Sequence, residues 1–220
     1  VAVYDGLGRS LAEGRQMGLR GTVRITASRI VSQYMLPRIL AQLQHAEPEI
    51  QIELVPSDTS ENLLFREADI ALRMYRPEQL DIIARHVADL PIGLYAAHSY
   101  VARRGRPKSA QDLMQHSFVG YDRDERIIRM MHAMGFPVTR EFFPIRCDDQ
   151  TVHWELVRAG CGISGAQTQI GDHDPLLERI MPELDLPSLP LWLAAPQALR
   201  TNPRIKHVWD FLAHALRHPA

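Results

Sequence analysis

Hydrophobic and polar residues alternate along several short stretches of the chain, and longer stretches between them have the period of a helix. Residues 22–27 show the two-residue period of a β-strand, with the apolar side chains on one face. Residues 49–55 and 69–74 read as two further strands, and residues 29–46 between the first two read as a helix. The resulting β-α-β-α-β order predicts an α/β fold with a largely parallel sheet and crossover helices.

Capping residues sharpen these boundaries. Ser28 is a good N-cap for the first helix, and Pro37 is expected to open its main segment, because a first-turn proline loses no hydrogen bond. Asp58, followed three residues later by Glu61, resembles a capping box and predicts a short second helix.

The rest of the chain repeats this alternation and predicts a second α/β unit. Asp148 or Asp149 is expected to cap a helix that ends near Gly160, and Gly135 to end the helix before it. The predicted strands are 91–97, 117–121, 141–147, 161–165 and 189–195; the predicted helices are short ones within 99–116, then 124–135, 150–160 and 203–217.

Composition excludes several classes of protein. The 220 residues are 45% hydrophobic and 23% charged, values of a globular chain rather than a disordered one. Lys and Arg number 25 and Asp and Glu 26, so the chain lacks the basic excess of a duplex DNA-binding domain. No apolar run is long enough to span a membrane, and two cysteines make no disulfide framework. The sparse cysteines lead us to expect a cytoplasmic location. Residue 1 is Val and no signal peptide is visible, so we also expect the chain to be a fragment of a longer protein.

Several short motifs recur along the chain in a characteristic order and spacing: Gly21–Ser28, Leu36–Leu40, Pro48–Leu54, Ala68–Arg73, Asp112-Leu113, Phe118-Val119, LVRAGCGIS at 156–164 and the tail from Leu189. Together they resemble the effector-binding domain of LysR-type transcriptional regulators. The resemblance covers nearly the whole chain, from about residue 21 to 217. One departure follows the GCGIS strand, where many members have an aliphatic-aliphatic-Pro run and this chain has Gly165-Ala166-Gln167-Thr168.

The resemblance implies a two-lobed, periplasmic-binding-protein-like fold, each lobe a mixed, mostly parallel sheet with flanking helices. Two crossover strands, placed near 94–98 and 192–196, would join the lobes. Residues 1–20 would end a linker helix, and the DNA-binding helix-turn-helix domain would be absent from this chain. Lobe I would comprise 22–95 and 197–217, and lobe II 96–195.

The resemblance also implies a function. The chain would sense a small-molecule effector between its lobes, form a dimer, and belong to a tetramer in the full-length protein. DNA would be contacted only through the missing N-terminal domain. No cofactor, metal or membrane is expected to be a partner. The helix within 31–45 is the candidate interface element.

Ligands of parallel α/β sheets bind beyond the carboxyl ends of the strands, and polar residues stand at those ends here. Helix N-termini near 29, 60 and 151 would add free N–H groups, which favour an anion, and an arginine would pair with a carboxylate. We therefore expect a small anionic, carboxylate-bearing effector. The candidate effector-binding residues are Ser28, Arg29, Ser57, Thr59, Ser60, Arg73, Tyr121, Arg123, Asp148, Asp149, Gln167 and Thr168.

The competing interpretation of these residues is that they only cap helices. Other classes of protein also stay open: a solute-binding protein of a transporter, or an enzyme on the same fold. Gly162–Ala166 is a near miss to the nucleophile elbow of hydrolases around Ser164, with His173, His207 and Asp172 as imaginable partners. His214 and His218 have a metal-ligand spacing without a third ligand nearby, Cys147 and Cys161 are a conceivable redox pair, and the basic run at 103–108 reads as a solvated loop.

Overall fold

The computed structural model describes residues 18–58, 68–78 and 81–217, without the side chains of residues 199 and 200. The first elements in chain order are β1 Gly21–Ala27, α1 Arg29–Tyr34, α2 Leu36–Ala46, β2 Ile50–Pro56, β3 Ile70–Arg73, β4 Ile82–Leu90 and β5 Ile92–Ala97. These are followed by α3 His98–Arg104, α4 Ala110–Leu113, β6 Val119–Gly120, α5 Arg126–Ala133, β7 Ile145–Arg146 and α6 Gln150–Arg158. The chain continues with β8 Ser164–Gln167, α7 Thr168–Gly171, β9 Leu177–Ile180, β10 Leu189–Pro196 and α8 Pro203–Arg217.

These elements form two compact units. Unit 1 contains the described residues up to Asp89 and from Pro190 onward, and unit 2 contains Leu90–Leu189. The chain thus passes from one unit to the other within β4 and within β10, a few residues before the positions at which the sequence places the crossovers.

Within its described residues, unit 1 has a five-stranded sheet of order β2-β1-β3-β10-β4. Strand β1 runs parallel to both β2 and β3, and β10 is antiparallel to β3. Helix α8 packs against α2 and β1. Val208 and Leu212 of α8 are fully buried together with Leu43 of α2 and Ile25 of β1, so one face of the sheet is a closed apolar core.

Unit 2 is built around β5, which pairs antiparallel with β8 on one side and β9 on the other. The short parallel pair β6-β7 joins this sheet through a parallel bridge between Phe118 and Ile163. Tyr95 of β5 and Trp154 of α6 meet edge to face at 5.9 Å, and both are fully buried. Unit 2 is therefore also an α/β layer with a helix over its sheet.

The predicted helix 29–46 is two helices, which meet at Met35. Pro37 in the first turn of α2 explains the break, because its ring would collide with the carbonyl oxygen four residues earlier in a continuous helix. The predicted helix after Asp58 falls largely on residues 59–67, outside the described part of the chain.

Three other expectations differ from the structure. The sequence analysis predicted no strand at the positions of β4 or β9. Both strands are partly exposed, so they lack a clear apolar pattern and are recognised by their backbone pairing. The strand predicted at 141–147 is a 3-10 helix at Arg140–Phe142 followed by the two-residue β7. Pro144 lies between them, and proline cannot donate a hydrogen bond to a strand ladder.

The helix ends agree better with the sequence. Asp149, not Asp148, is the N-cap of α6, and its Oδ1 accepts hydrogen bonds from the N–H groups of Thr151 and Val152. Gly135 and Gly160 follow α5 and α6 with φ of 87° and 83°, the left-handed conformation that glycine adopts without strain.

We predict that Gly120→Ala destabilises unit 2. A Cβ at Gly120 would lie under 3.0 Å from several atoms of the Phe143 side chain, which is fully buried and has no room to retreat. Overpacking of this kind costs about 1–3 kcal/mol, measurable as a lower thermal midpoint.

Gly165→Ala is the matched control in the same sheet. Its Cβ would meet Ile92 Cγ2 at 3.4 Å, close to ordinary van der Waals contact. Equal loss of stability in both variants would contradict the packing described for Phe143.

Candidate ligand-binding site

In unit 1, two of the candidate residues lie side by side at the carboxyl ends of β1 and β3. The parallel register pairs Ala27 with Leu72, so the next residues, Ser28 and Arg73, stand at the same level of the sheet. Both are buried, with 8% and 6% of their surfaces exposed. Ser28 directly follows β1, and Arg73 is the last residue of β3, whose four residues are all buried.

Arg73 is a buried cation held by neutral groups. Its Nη1 donates a hydrogen bond to the carbonyl oxygen of Leu72 at 2.8 Å, and its Nη2 donates one to Oγ1 of Thr26 at 3.2 Å. Burial lowers the pKa of the guanidinium, and the nearby Tyr75 and Asp58 offset this in part. Arginine nevertheless stays charged in proteins, and no carboxylate among the described residues lies within ion-pair distance of this guanidinium.

Ser28 adds an unused hydroxyl beside that charge. It occupies the N-cap position of α1, yet its side chain makes no capping hydrogen bond, and its buried Oγ has no partner among the described residues. A hydroxyl taken out of water without a partner is costly, so this one is available to a bound molecule.

Arg29 and Ser57 belong to the frame of this site. The N–H of Arg29 donates to Oδ1 of Asp58 at 2.9 Å, and its Nε lies 3.8 Å from Oδ2 of the same carboxylate. The N–H of Ser57 donates to the carbonyl oxygen of Ala27 at 2.8 Å. The other two unit 1 candidates, Thr59 and Ser60, lie outside the described residues.

In unit 2, Asp148 holds the loop that follows β6. Its carboxylate accepts hydrogen bonds from the N–H groups of Asp122 and Arg123 at 2.9 and 3.0 Å, and from Nε of Arg123 at 3.0 Å. Burial by itself raises the pKa of Asp148, but the backbone and side chain of Arg123 and the N–H groups of Asp122 and Asp124 lower it to about 2. The Asp148 carboxylate is thus ionised, and it accepts hydrogen bonds from groups of the protein itself.

The remaining unit 2 candidates have mainly backbone roles in the structure. Asp149 caps α6, so two of the helix N–H groups that were expected to attract an anion are already satisfied. Gln167, 5% exposed, ends β8, and the N–H of Thr168 donates to the carbonyl oxygen of Pro91 at 2.9 Å. Unit 2 also differs from unit 1 in charge, because Arg123 is paired with Asp148 and Arg140 with Asp122.

Two residues that the sequence analysis did not place in the site adjoin Tyr121. The ring of Tyr121 stacks on that of His153, with centroids 4.4 Å apart and planes 14° apart. His153 Nε2 lies 2.7 Å from Oγ of Ser164, and both residues are almost completely buried. The spacing of His153 four residues after the capping Asp149 is the only sequence signal for this position.

The competing chemistries gain no support from the described residues. Ser164 lies within strand β8 rather than on a strand-to-helix turn, and its partner is His153, whereas His173 contacts the carbonyl oxygen of Gln169 and His207 pairs with Glu47. The described residues hold no cluster of three or more His, Cys, Asp or Glu that could bind a metal ion, and His218 lies outside them.

Other predicted features are ordinary. Cys147 and Cys161 are free thiols. In the basic run, Arg103 donates to the carbonyl oxygen of Gly160, and Arg106 pairs with Glu178. No helix in the described part of the chain is long and apolar enough to cross a membrane.

Comparison with known proteins identifies the family. The sequence matches the family described as LysR substrate binding domain over residues 16–217. It is 25% identical over 169 residues to the HTH-type transcriptional regulator CrgA of Neisseria meningitidis serogroup C, a match that covers 75% of this chain and 56% of that protein. The chain thus spans little more than half the length of this relative.

Solved structures agree on the fold. The CrgA regulatory domain from Neisseria meningitidis matches with a TM-score of 0.80 at 23% identity, covering 90% of this chain and 99% of that one. The effector domain of AmpR from Pseudomonas aeruginosa matches with a TM-score of 0.72 at 18% identity, covering 90% and 95%. Because the family match spans almost all of the chain and these neighbours share its fold, the chain belongs to the LysR substrate-binding domain family.

Proposed function

We propose that this chain is the ligand-sensing and oligomerisation part of a LysR-type transcriptional regulator, and that a small carboxylate-bearing metabolite is its effector. The observation that most supports an anionic ligand is the buried guanidinium of Arg73. No carboxylate among the described residues lies within ion-pair distance of it. The unpartnered hydroxyl of Ser28 supplies a hydrogen-bond donor at the same strand level.

A carboxylate bound here would resolve two energetic costs at once. It would replace the water that the guanidinium lost on burial, in a setting of low dielectric where charge-assisted hydrogen bonds are strong. It would also accept the Ser28 hydrogen bond. In unit 2, the proposed effector-binding residues are Tyr121, Arg123, Asp148, Asp149, Gln167 and Thr168, with Asp148 acting through the loop it holds.

The regulatory output follows from differential binding. An effector that binds one conformation of the regulator more tightly than another shifts the population toward that conformation. DNA would be contacted by the helix-turn-helix part of the whole regulator. The name of the relative CrgA, an HTH-type transcriptional regulator, refers to such a part. An enzyme on this fold is disfavoured, because the one close Ser–His pair found in the described residues is buried and its His153 Nδ1 makes no hydrogen bond to an acid.

We expect a matching carboxylate to raise the thermal midpoint of the protein. In a panel of small carboxylates, amino acids and aromatic acids, a ligand at about 100 times its Kd stabilises by about 2.7 kcal/mol, which is roughly 5–10 °C for a chain of this size. Arg73→Met, which keeps the side-chain volume and removes the charge, should abolish the shift.

Arg129→Ala is the matched control for that experiment. This arginine is exposed and pairs with Glu125 on α5, so its loss should leave the ligand-induced shift intact. A ligand that stabilises wild type and Arg73→Met equally would exclude Arg73 as the anchor.

Ser28→Ala should have opposite effects on the free and the bound protein. Because the hydroxyl is buried without a partner and makes no capping bond, its removal should leave the ligand-free stability unchanged or raise it by about 1 kcal/mol. Ligand affinity should fall, by roughly tenfold for one lost hydrogen bond. Chemical denaturation and ligand titration measure the two effects, and a less stable ligand-free variant would show that the hydroxyl has a structural partner.

We also propose that the protein self-associates through α2 and β2. Strand β2 is at the edge of the unit 1 sheet among its described strands, and an edge strand presents unpaired backbone groups to a partner. Helix α2 presents Ala41 and Gln42 to solvent beside it.

Light scattering coupled to size exclusion should therefore show twice the 25.0 kDa chain mass for wild type. Ala41→Arg should reduce the mass to that of a monomer, while Lys108→Glu, an exposed charge change in unit 2, should not. A wild-type protein that stays monomeric at high concentration would refute this interface.

A further inference from the structure

His153 is a buried polar residue to which the proposed function gives no direct contact with ligand. It lies in the second turn of α6 with 2% of its surface exposed. A histidine buried this completely without an acidic partner is unusual, because its ring nitrogens need hydrogen bonds that the core seldom supplies. Its Nε2 lies 2.7 Å from Oγ of Ser164, and the carbonyl oxygens of Cys147 and Gly120 face the ring, although Nδ1 has no well-aligned hydrogen bond among the described residues.

The flat ring of His153 has a second contact that does not depend on hydrogen bonding. It lies nearly parallel to the ring of Tyr121, at a centroid distance of 4.4 Å. Parallel rings at this distance are in full contact, and each restricts the other's tilt. Tyr121 is partly exposed, directly after β6, so its orientation determines what that strand end presents to solvent.

The backbone around Tyr121 is fixed separately. The next two N–H groups, of Asp122 and Arg123, donate to the carboxylate of Asp148. Asp148 therefore holds the path of the loop, while the stacked imidazole contacts the Tyr121 ring itself. Ser164 in turn holds the imidazole from strand β8.

We propose that His153 is a positioning residue of the ligand-binding site: held by Ser164, its ring sets the orientation of Tyr121 in unit 2. The meaning of this role for ligand binding rests on the proposed function, whereas the positioning itself does not. The imidazole is neutral in this role, because burial lowers the pKa of His153 and outweighs the opposing effect of the carbonyl oxygens of Cys147 and Gly120. A planar ring at this position is then the essential feature.

Two double variants separate positioning from simple packing. His153→Phe with Ser164→Ala keeps a flat ring beneath Tyr121, and His153→Leu with Ser164→Ala does not. Both replace the buried polar pair by apolar groups, which leaves no unpaired hydroxyl and keeps their stabilities similar. The full chain is labelled with 3-fluorotyrosine, and Tyr121→Phe assigns the Tyr121 resonance among the six tyrosines.

Fluorine NMR of the ligand-free protein is the readout. The Tyr121 signal should keep its wild-type position in the Phe double variant. In the Leu double variant, the Tyr121 signal should move most of the way toward the chemical shift that it has in the denatured protein. Thermal midpoints of the two double variants are compared in parallel and should agree within a few degrees.

Two outcomes would overturn the proposal. One is a Tyr121 signal that keeps its wild-type position in both folded double variants, which would show that the ring at residue 153 does not orient Tyr121. The other is a Tyr121 signal that moves as far from its wild-type position in the Phe double variant as in the Leu double variant. If the Leu variant does not fold, the single variant His153→Phe gives the answer, since its Tyr121 signal must stay in place despite the lower midpoint caused by the unpaired Ser164 hydroxyl.

This test is independent of the ligand panel. A panel without a hit would question the effector chemistry and leave the NMR result unaffected. Conversely, an effector that requires Arg73 would support the proposed function even if the Tyr121 signal did not respond to residue 153.

Discussion

The parallel alignment of β1 with β2 and β3 is the constraint from which the unit 1 site follows. One face of these strands is closed by α2 and α8 over fully buried residues such as Ile25 and Val208. The register then places the residues after β1 and at the end of β3 at one level. The two polar side chains at those positions, Ser28 and Arg73, are both buried.

The two units manage their charges differently. In unit 2, the arginines near the strand ends have acidic partners, as Arg123 has in Asp148. In unit 1, Arg73 is far more buried than Arg123, and its hydrogen-bond partners among the described residues are neutral: the carbonyl oxygen of Leu72 and the hydroxyls of Thr26 and Tyr75. A buried charge without an opposite charge is costly to the folded protein, so a site of this kind stores free energy that an anionic ligand can release.

In unit 2, the contacts around Tyr121 concern the orientation of the backbone and of the tyrosine ring. The Asp148 carboxylate fixes the backbone after β6, and the His153–Ser164 pair lies beneath the ring of Tyr121. Both features join residues that are distant in sequence: Asp148 holds the loop after β6, and His153 of α6 meets Ser164 at the start of β8. The His153–Ser164 pair is almost completely buried, so neither side chain is exposed to solvent.

The sequence by itself determined the α/β alternation, the strands β1, β2, β3 and β5, the helix ends at Gly135 and Gly160, the helix start near Pro37, and the family. These features depend on local periodicity, on backbone conformations that few residues adopt, and on motif order. Strands β4 and β9, the choice of Asp149 over Asp148 as the cap of α6, and the role of Asp148 in holding the loop after β6 depended on tertiary structure. Edge strands are defined by their pairing partners, and the stacking of His153 on Tyr121 joins side chains 32 positions apart. No local pattern encodes such contacts, since they arise only when the sheet brings the strand ends together.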